Sequence, residues 1–395
     1  MNEIIAGEER FFRAASSDAE TIQNAVDSAC GEKTVIRVPR WNPRTEKPEW
    51  RIDRDIVLKT NVTIILDNAA LVQETGSFNR IFTAERGAKN IAVIGEGNAT
   101  LSGGEESRLN ALSSGKYGLP DVSVNGIAYF SGVSGLTIRN LTIENMRWVA
   151  VSVLDSEDVS ISNLNFVSIP RVVREHGVCI TNCKRVSIEN VSGRTGASTV
   201  IVEANKNGET SGVSIRNLKA DPARGSVLSI RTRENGTVSD VTANTVIDSS
   251  KYYEKARSAS ALVFGDMKPV IPGPVVNRSE FFEKRMPAAE AIRNVFATNL
   301  YSRSNYAVEI LQPFSDTVIG SLITYGDNIY AIGSRSSDEM ELKNVVFERV
   351  FYGAGSEPNN LKAFIARYAK GATAVKTPNI QGYTVKQLVL QEEEP

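Results

Sequence analysis

Six side chains in this sequence could do chemistry if the fold gathers them: Glu175, His176, Glu203, Arg231, Asp266 and Glu309. Paired carboxyl groups divide acid–base work, one protonated to assist a leaving oxygen and one ionised to activate water. A guanidinium and an imidazole beside them would bind an anionic or hydroxyl-rich ligand. Short β-rich runs say which of these groups share a face, because successive side chains of a strand point to opposite sides. In TVIVE, Val200 and Val202 face inward, so Thr199, Ile201 and Glu203 face outward. The same parity turns Ser229 and Arg231 outward in VLSIR, and Glu309 outward in AVEIL. Neighbouring strands lie about 4.8 Å apart, which makes Glu203 and Arg231 expected neighbours, with Glu175 and His176 entering one repeat earlier. The blander expectation for Glu203 and Arg231 is a surface ion pair of little energetic weight. For Asp266, after Gly265, it is a turn residue.

Composition closes several other routes. His176 is the single histidine, so a multi-histidine metal site is excluded and a Ser-His-Asp site would have to be built around it. The three cysteines, Cys30, Cys179 and Cys183, are too few for a disulfide framework or a zinc cluster. No metal and no cofactor is assigned. Forty-five basic residues face 46 acidic ones in 395, a net charge of -1, which leaves no basic excess to hold a nucleic acid. No apolar run reaches the roughly 20 residues that span a bilayer. The opening MNEIIAGEERFF has no basic-then-apolar signal pattern, so a cytoplasmic location is expected, or a secreted one if a leader has been removed.

The elements that must position these residues repeat. LTIRNLTIEN, VSISNLNFVS, VSIENVSGRT, VSIRNLKADP and TVSDVTANTV place a polar turn residue at Asn140, Asn163, Asn190, Asn217 and Asp240, steps of 23, 27, 27 and 23. Looser copies surround Asn294, Gly320 and Asn344. Between them lie second β-rich runs: GIAYF, AVSVL, GVCIT, TVIVE, VLSIR, ALVFG, AVEIL and YAIGS. Short strands at this period predict an all-β right-handed parallel β-helix, with the asparagines stacked as a ladder. Ser17-Asp18-Ala19-Glu20 is a capping box that starts an N-terminal capping helix over about 17–30, burying Ile22, Ala25, Val26 and Ala29. One domain is expected over 1–352, interrupted at about 104–124 and 248–290, with a C-terminal cap and tail over 353–395. The second interruption, between VLSIR and AVEIL, would wall one end of a groove.

These residues give the chain a resemblance to the family 28 glycoside hydrolases, the polygalacturonase-like β-helix enzymes. It rests on SDAETIQNAVDSAC, TVIRVPR and DIVLKTNVTIILDNAALV near the start, and on NMRWVAVSVLDSEDVSISNLNFVSIP with EHGVCITNCKRVSIENVSGRTGASTVIVEA in the middle. That family inverts galacturonan bonds with carboxylates from neighbouring coils. Its Asn-x-Asp motif falls on Arg174-Glu175-His176 and its Gly-Asp-Asp motif on Gly196-Ala197-Ser198, so His176, Ala197 and Ser198 replace all three acids. Its Gly-His-Gly motif falls near Gly225-Ser226-Val227 without a histidine. Its Arg-Ile-Lys motif falls on Ala261-Leu262-Val263 by coil count, or on Ser229-Ile230-Arg231 by wording. Alanine and serine can neither protonate a leaving group nor activate water as inversion requires.

The resemblance implies a carbohydrate-active enzyme that is not a standard polygalacturonase, most simply a glycoside hydrolase acting on an oligo- or polysaccharide. Glu203 with Glu175, or Glu203 with Glu309, are the candidate acid and base, and His176, Arg231 and Asp266 the candidate substrate-binding groups. The alternatives are a uronate polysaccharide lyase or epimerase, and a non-catalytic carbohydrate-binding β-helix. A saccharide is the expected partner, neither nucleic acid nor membrane is expected, and a homo-oligomer is left open.

Overall fold

The computed structural model describes residues 2–29, 31–74, 79–104, 126–146, 148–168, 175–223, 225–250, 259–265, 289–302, 306–325, 330–334, 340–353 and 380–390. Its chain divides into two compact units, Met1–Gly196 and Ala197–Pro395.

The first unit opens with β1 (Asn2–Ile5), α1 (Glu9–Phe12) and α2 (Asp18–Asp27). Ser17 caps α2 as the sequence predicts, its hydroxyl accepting the Glu20 N–H at 3.3 Å. The return arm of the box is shifted by one residue: the Glu20 carboxylate accepts the Ser16 N–H at 2.7 Å. Ile22, Ala25 and Val26 are buried, whereas Ala29 lies past the helix end and is half-buried. Asp18 is buried as well, and is held by Arg44 at 3.1 Å and by the Arg51 N–H at 2.8 Å.

Strands then follow at short intervals: β2 (Thr34–Pro39), β3 (Trp50–Ile52), β4 (Ile56–Leu58), β5 (Val62–Asp67), β6 (Ala70–Gln73), β7 (Phe82–Ala84), β8 (Lys89–Glu96) and β9 (Thr100–Ser102). The unit ends with β10 (Gly126–Ser131), β11 (Ser134–Glu144), β12 (Val149–Leu154), β13 (Glu157–Val167), β14 (His176–Thr181) and β15 (Lys184–Thr195). Strands β1, β2, β5, β8, β11, β13 and β15 pair in that order, and β4, β7, β10, β12 and β14 form a second ladder. The pairings described among them are parallel, for instance Leu136↔Val159↔Val186. The two ladders alternate along the chain, so each coil supplies one strand to each. Their inward rows, Leu136, Ile138, Val159, Ile161, Val186 and Ile188 against Val151, Val153, Val178 and Ile180, are at most 2% exposed.

In the second unit come β16 (Val200–Ala204), β17 (Glu209–Pro222), β18 (Gly225–Thr232), β19 (Thr237–Asp248), β20 (Ala259–Phe264) and β21 (Ile292–Ser302). They are followed by β22 (Tyr306–Ile310), β23 (Ser315–Tyr325), β24 (Tyr330–Gly333), β25 (Met340–Gly353) and β26 (Ile380–Leu390). Here β17, β19, β21, β23, β25 and β26 make one parallel ladder, and β16, β18, β20, β22 and β24 the other. The architecture is a right-handed parallel β-helix, the hand that parallel crossovers take. Two expectations change. The 248–290 stretch does not interrupt the coils throughout, because β20 pairs with both β18 and β22. Most of the rest of that stretch, and the 104–124 interruption save Gly104, lie outside the described residues. The 353–395 region, read as cap and tail, contributes a further ladder strand, β26.

The turn residues form ladders, in a register that differs from the expected one. In the first unit Asn163 Nδ2 donates to Asn140 Oδ1 at 2.9 Å and Asn190 Nδ2 to Asn163 Oδ1 at 3.0 Å. All three are left-handed, with φ of 60°, 54° and 54°, a conformation that asparagine tolerates better than most residues. In the second unit, however, Asp240 does not continue the place held by Asn217. The pairs Arg216↔Asn244 and Leu218↔Val246 set Asn217 opposite Thr245, and Asn299 follows. Asp240 instead lies opposite Gly212, itself left-handed, in a second column that goes on through Asn294, Asp316 and Asn344. Asp316, not Gly320, fills that place in its coil.

Candidate functional site

In the first unit, His176 opens β14 and Glu175 immediately precedes it. The Glu175 side chain is buried, 3% exposed, and the Ser168 hydroxyl at the end of β13 donates to Oε2. Burial pushes this carboxyl up from the ordinary 4.5 to about 7, and the Ser168 hydrogen bond pulls the other way. A carboxyl of that kind is still half protonated near neutrality, which is what a general acid needs. His176 is half-buried, and its N–H donates to Trp148 O at 2.7 Å. It has the parity of the inward Val178 and Ile180, so it does not stand in the outward row with Cys179. Cys183, just past the strand, is fully buried, and burial drives its thiol up to about 12.

In the second unit the register brings Glu203 opposite Arg231. Arg231 Nε donates to Glu203 Oε2, and Arg233 Nε lies 3.5 Å from the same oxygen. The first pair is no surface contact: the side chains of Arg231 and Glu203 are 12% and 7% exposed. Glu203 is therefore a carboxylate between two guanidiniums, fixed also through its backbone, whose carbonyl accepts the Thr210 hydroxyl at 2.6 Å. Arg233 was not anticipated, although RTR places it two residues on, with the same outward parity as Arg231.

Glu309 does not join them. Val263↔Glu309, Ser229↔Val263 and Ile201↔Ser229 put it in the row of Ile201, two residues short of Glu203 along the strand and three strands away. At about 4.8 Å per strand and 3.3 Å per residue, the two backbones stand about 16 Å apart. The carboxyl groups of an inverting acid and base stand about 6.5–9.5 Å apart, and the two glutamates are held by different partners, Glu203 by Arg231 and Glu309 by Ser260. Glu309 is fully buried and accepts a hydrogen bond from the Ser260 hydroxyl at 3.5 Å. The outward row itself is closed, with Ile201, Ser229, Val263 and Glu309 exposed by 1, 3, 6 and 0%. Alternation carries no information on what covers a face. Asp266 lies outside the described residues. Ala197 and Ser198 are buried, and the Ser198 hydroxyl lies 3.4 Å from that of Ser226.

Comparison with known proteins bears on the fold. The family described as "Right handed beta helix region" matches residues 125–265. No curated protein matches the chain. Among solved structures, it is similar to an exopolygalacturonase from Thermotoga maritima, at 14% identity and a TM-score of 0.62 over 98% of this chain and 91% of that one. A polygalacturonase from Erwinia carotovora ssp. carotovora gives 14% identity and 0.57 over 96% and 94%. The surface adhesin PfbA of Streptococcus pneumoniae gives 11% identity and 0.52 over 99% and 90%. Together with the ladders, these likenesses establish the chain as a right-handed parallel β-helix, the fold it shares with the polygalacturonases.

Proposed function

We propose that the protein is carbohydrate-active and that it hydrolyses glycosidic bonds in an oligo- or polysaccharide. The observation that carries the hydrolytic reading is Glu175, a buried carboxyl raised to about 7 at the strand start where the resembling family places a catalytic motif. In this reading Glu175 delivers its proton to the leaving oxygen. In the second unit, Glu203 is the acid–base candidate that the register leaves standing. Incubation with a panel of neutral and uronate oligosaccharides, reading new reducing ends, tests the proposal. Glu175→Gln is expected to lower the rate by about 100-fold or more. An undiminished rate removes Glu175 from the mechanism, and an unsaturated, ultraviolet-absorbing product replaces hydrolysis with elimination.

Binding without turnover is the second reading. It is favoured by the two guanidiniums that hold Glu203 and by the buried Ala197 and Ser198 where inversion would need acids. Saccharide binding with no product over days would establish it.

A further inference from the structure

The second ladder of the first unit presents an outward row that is partly open: Val57, Thr83, Tyr129 and Cys179 are half-buried, whereas Ser152, between the last two, is buried. The comparable row of the second unit, Ile201, Ser229, Val263 and Glu309, is closed. Tyr129 is the one aromatic side chain in the open row, and its surroundings fix it in place. The Arg80 guanidinium lies over its ring, 5.1 Å from the centroid. Asp55 anchors Arg80 by three contacts: the backbone N–H at 2.7 Å, Nε at 2.8 Å and Nη2 at 2.5 Å. A ring whose position is set before binding loses little freedom when a ligand stacks on it. The Thr83 hydroxyl one strand before it, and the Ser131 hydroxyl two residues after it on the same face, offer hydrogen bonds at its margin.

An aromatic face bordered by hydroxyls matches a pyranose, which has an apolar C–H face and a rim of hydroxyl groups. The charge at the platform is balanced, since Arg80 is matched by Asp55. We propose that Tyr129, with Arg80 and Thr83, forms a binding site for a neutral pyranose unit of a saccharide chain. This deepens the carbohydrate reading above and rests on it for the ligand class, but not on hydrolysis.

The test titrates the whole protein calorimetrically with cellopentaose, xylopentaose, β-1,4-galactopentaose and, as the charged control, galacturonate pentamer. At least one neutral pentasaccharide is expected to bind, Tyr129→Ala to weaken it at least tenfold, and Tyr129→Phe to leave it within about threefold. In the wild type, the bound saccharide should protect Tyr129 from nitration by tetranitromethane, read by peptide mass, which keeps the test independent of how well Tyr129→Ala folds. Three results overturn the proposal: no binding of any neutral member, binding indifferent to Tyr129→Ala, or nitration unchanged by saturating ligand. Reducing ends measured on the same samples separate the two readings. Hydrolysis that ignores Tyr129→Ala sinks the platform alone, and Tyr129-dependent binding without product sinks hydrolysis alone.

Discussion

Glu175 shows how one side chain can couple chemistry to stability. Its carboxyl titrates near 4.5 when unfolded and about 7 when folded, so the fold prefers the protonated form. The associated stabilisation is complete below pH 4.5 and is lost as pH rises through about 7. Glu175→Gln keeps a neutral group of the same shape and has nothing to lose. The melting temperature of the variant relative to the wild type should therefore climb between pH 4.5 and 8, and a flat difference across that range would mean that the burial is relieved in solution. Little of this was legible in the sequence. EHGVCIT showed that Glu175 precedes a strand, but its burial depends on Ser168 and on packing from other coils, which strand periodicity does not encode.

At the scale of elements, the strands were readable because inward Val, Ile and Leu alternate with polar residues over runs too short for any helix. The ladders were only half readable. Asparagine and aspartate serve both left-handed columns, and Thr245, at φ 63°, occupies a place where asparagine was the expected sign. A search for the next asparagine thus stepped from Asn217 to Asp240, in the wrong column. The ladder also sets a measurable cost. Asn163→Ala removes two amide contacts and puts alanine, which tolerates the left-handed region less well than asparagine, at φ 54°, about 2 kcal/mol in total. Asn163→Gly keeps the backbone and should cost about half as much. Equal shifts of the urea midpoint for the two variants would show that the left-handed backbone carries no penalty for alanine.

At the scale of the whole molecule, each coil is held chiefly by the coils on either side of it, so a unit of this kind can open at one place without melting elsewhere. Cys183 turns that property into a chemical clock. Its sulfur is sealed in the core with its proton retained far above neutral pH, between Val153 O at 3.4 Å and Thr181 O at 3.2 Å. In a Cys30→Ser, Cys179→Ser background the single remaining thiol should react with a disulfide reagent at least about 100-fold more slowly than in the urea-unfolded chain. Labelling as fast as in the unfolded chain would contradict the burial. The native rate would then read how often the coil between β14 and β15 breathes, and a saccharide that braces the first unit should slow it.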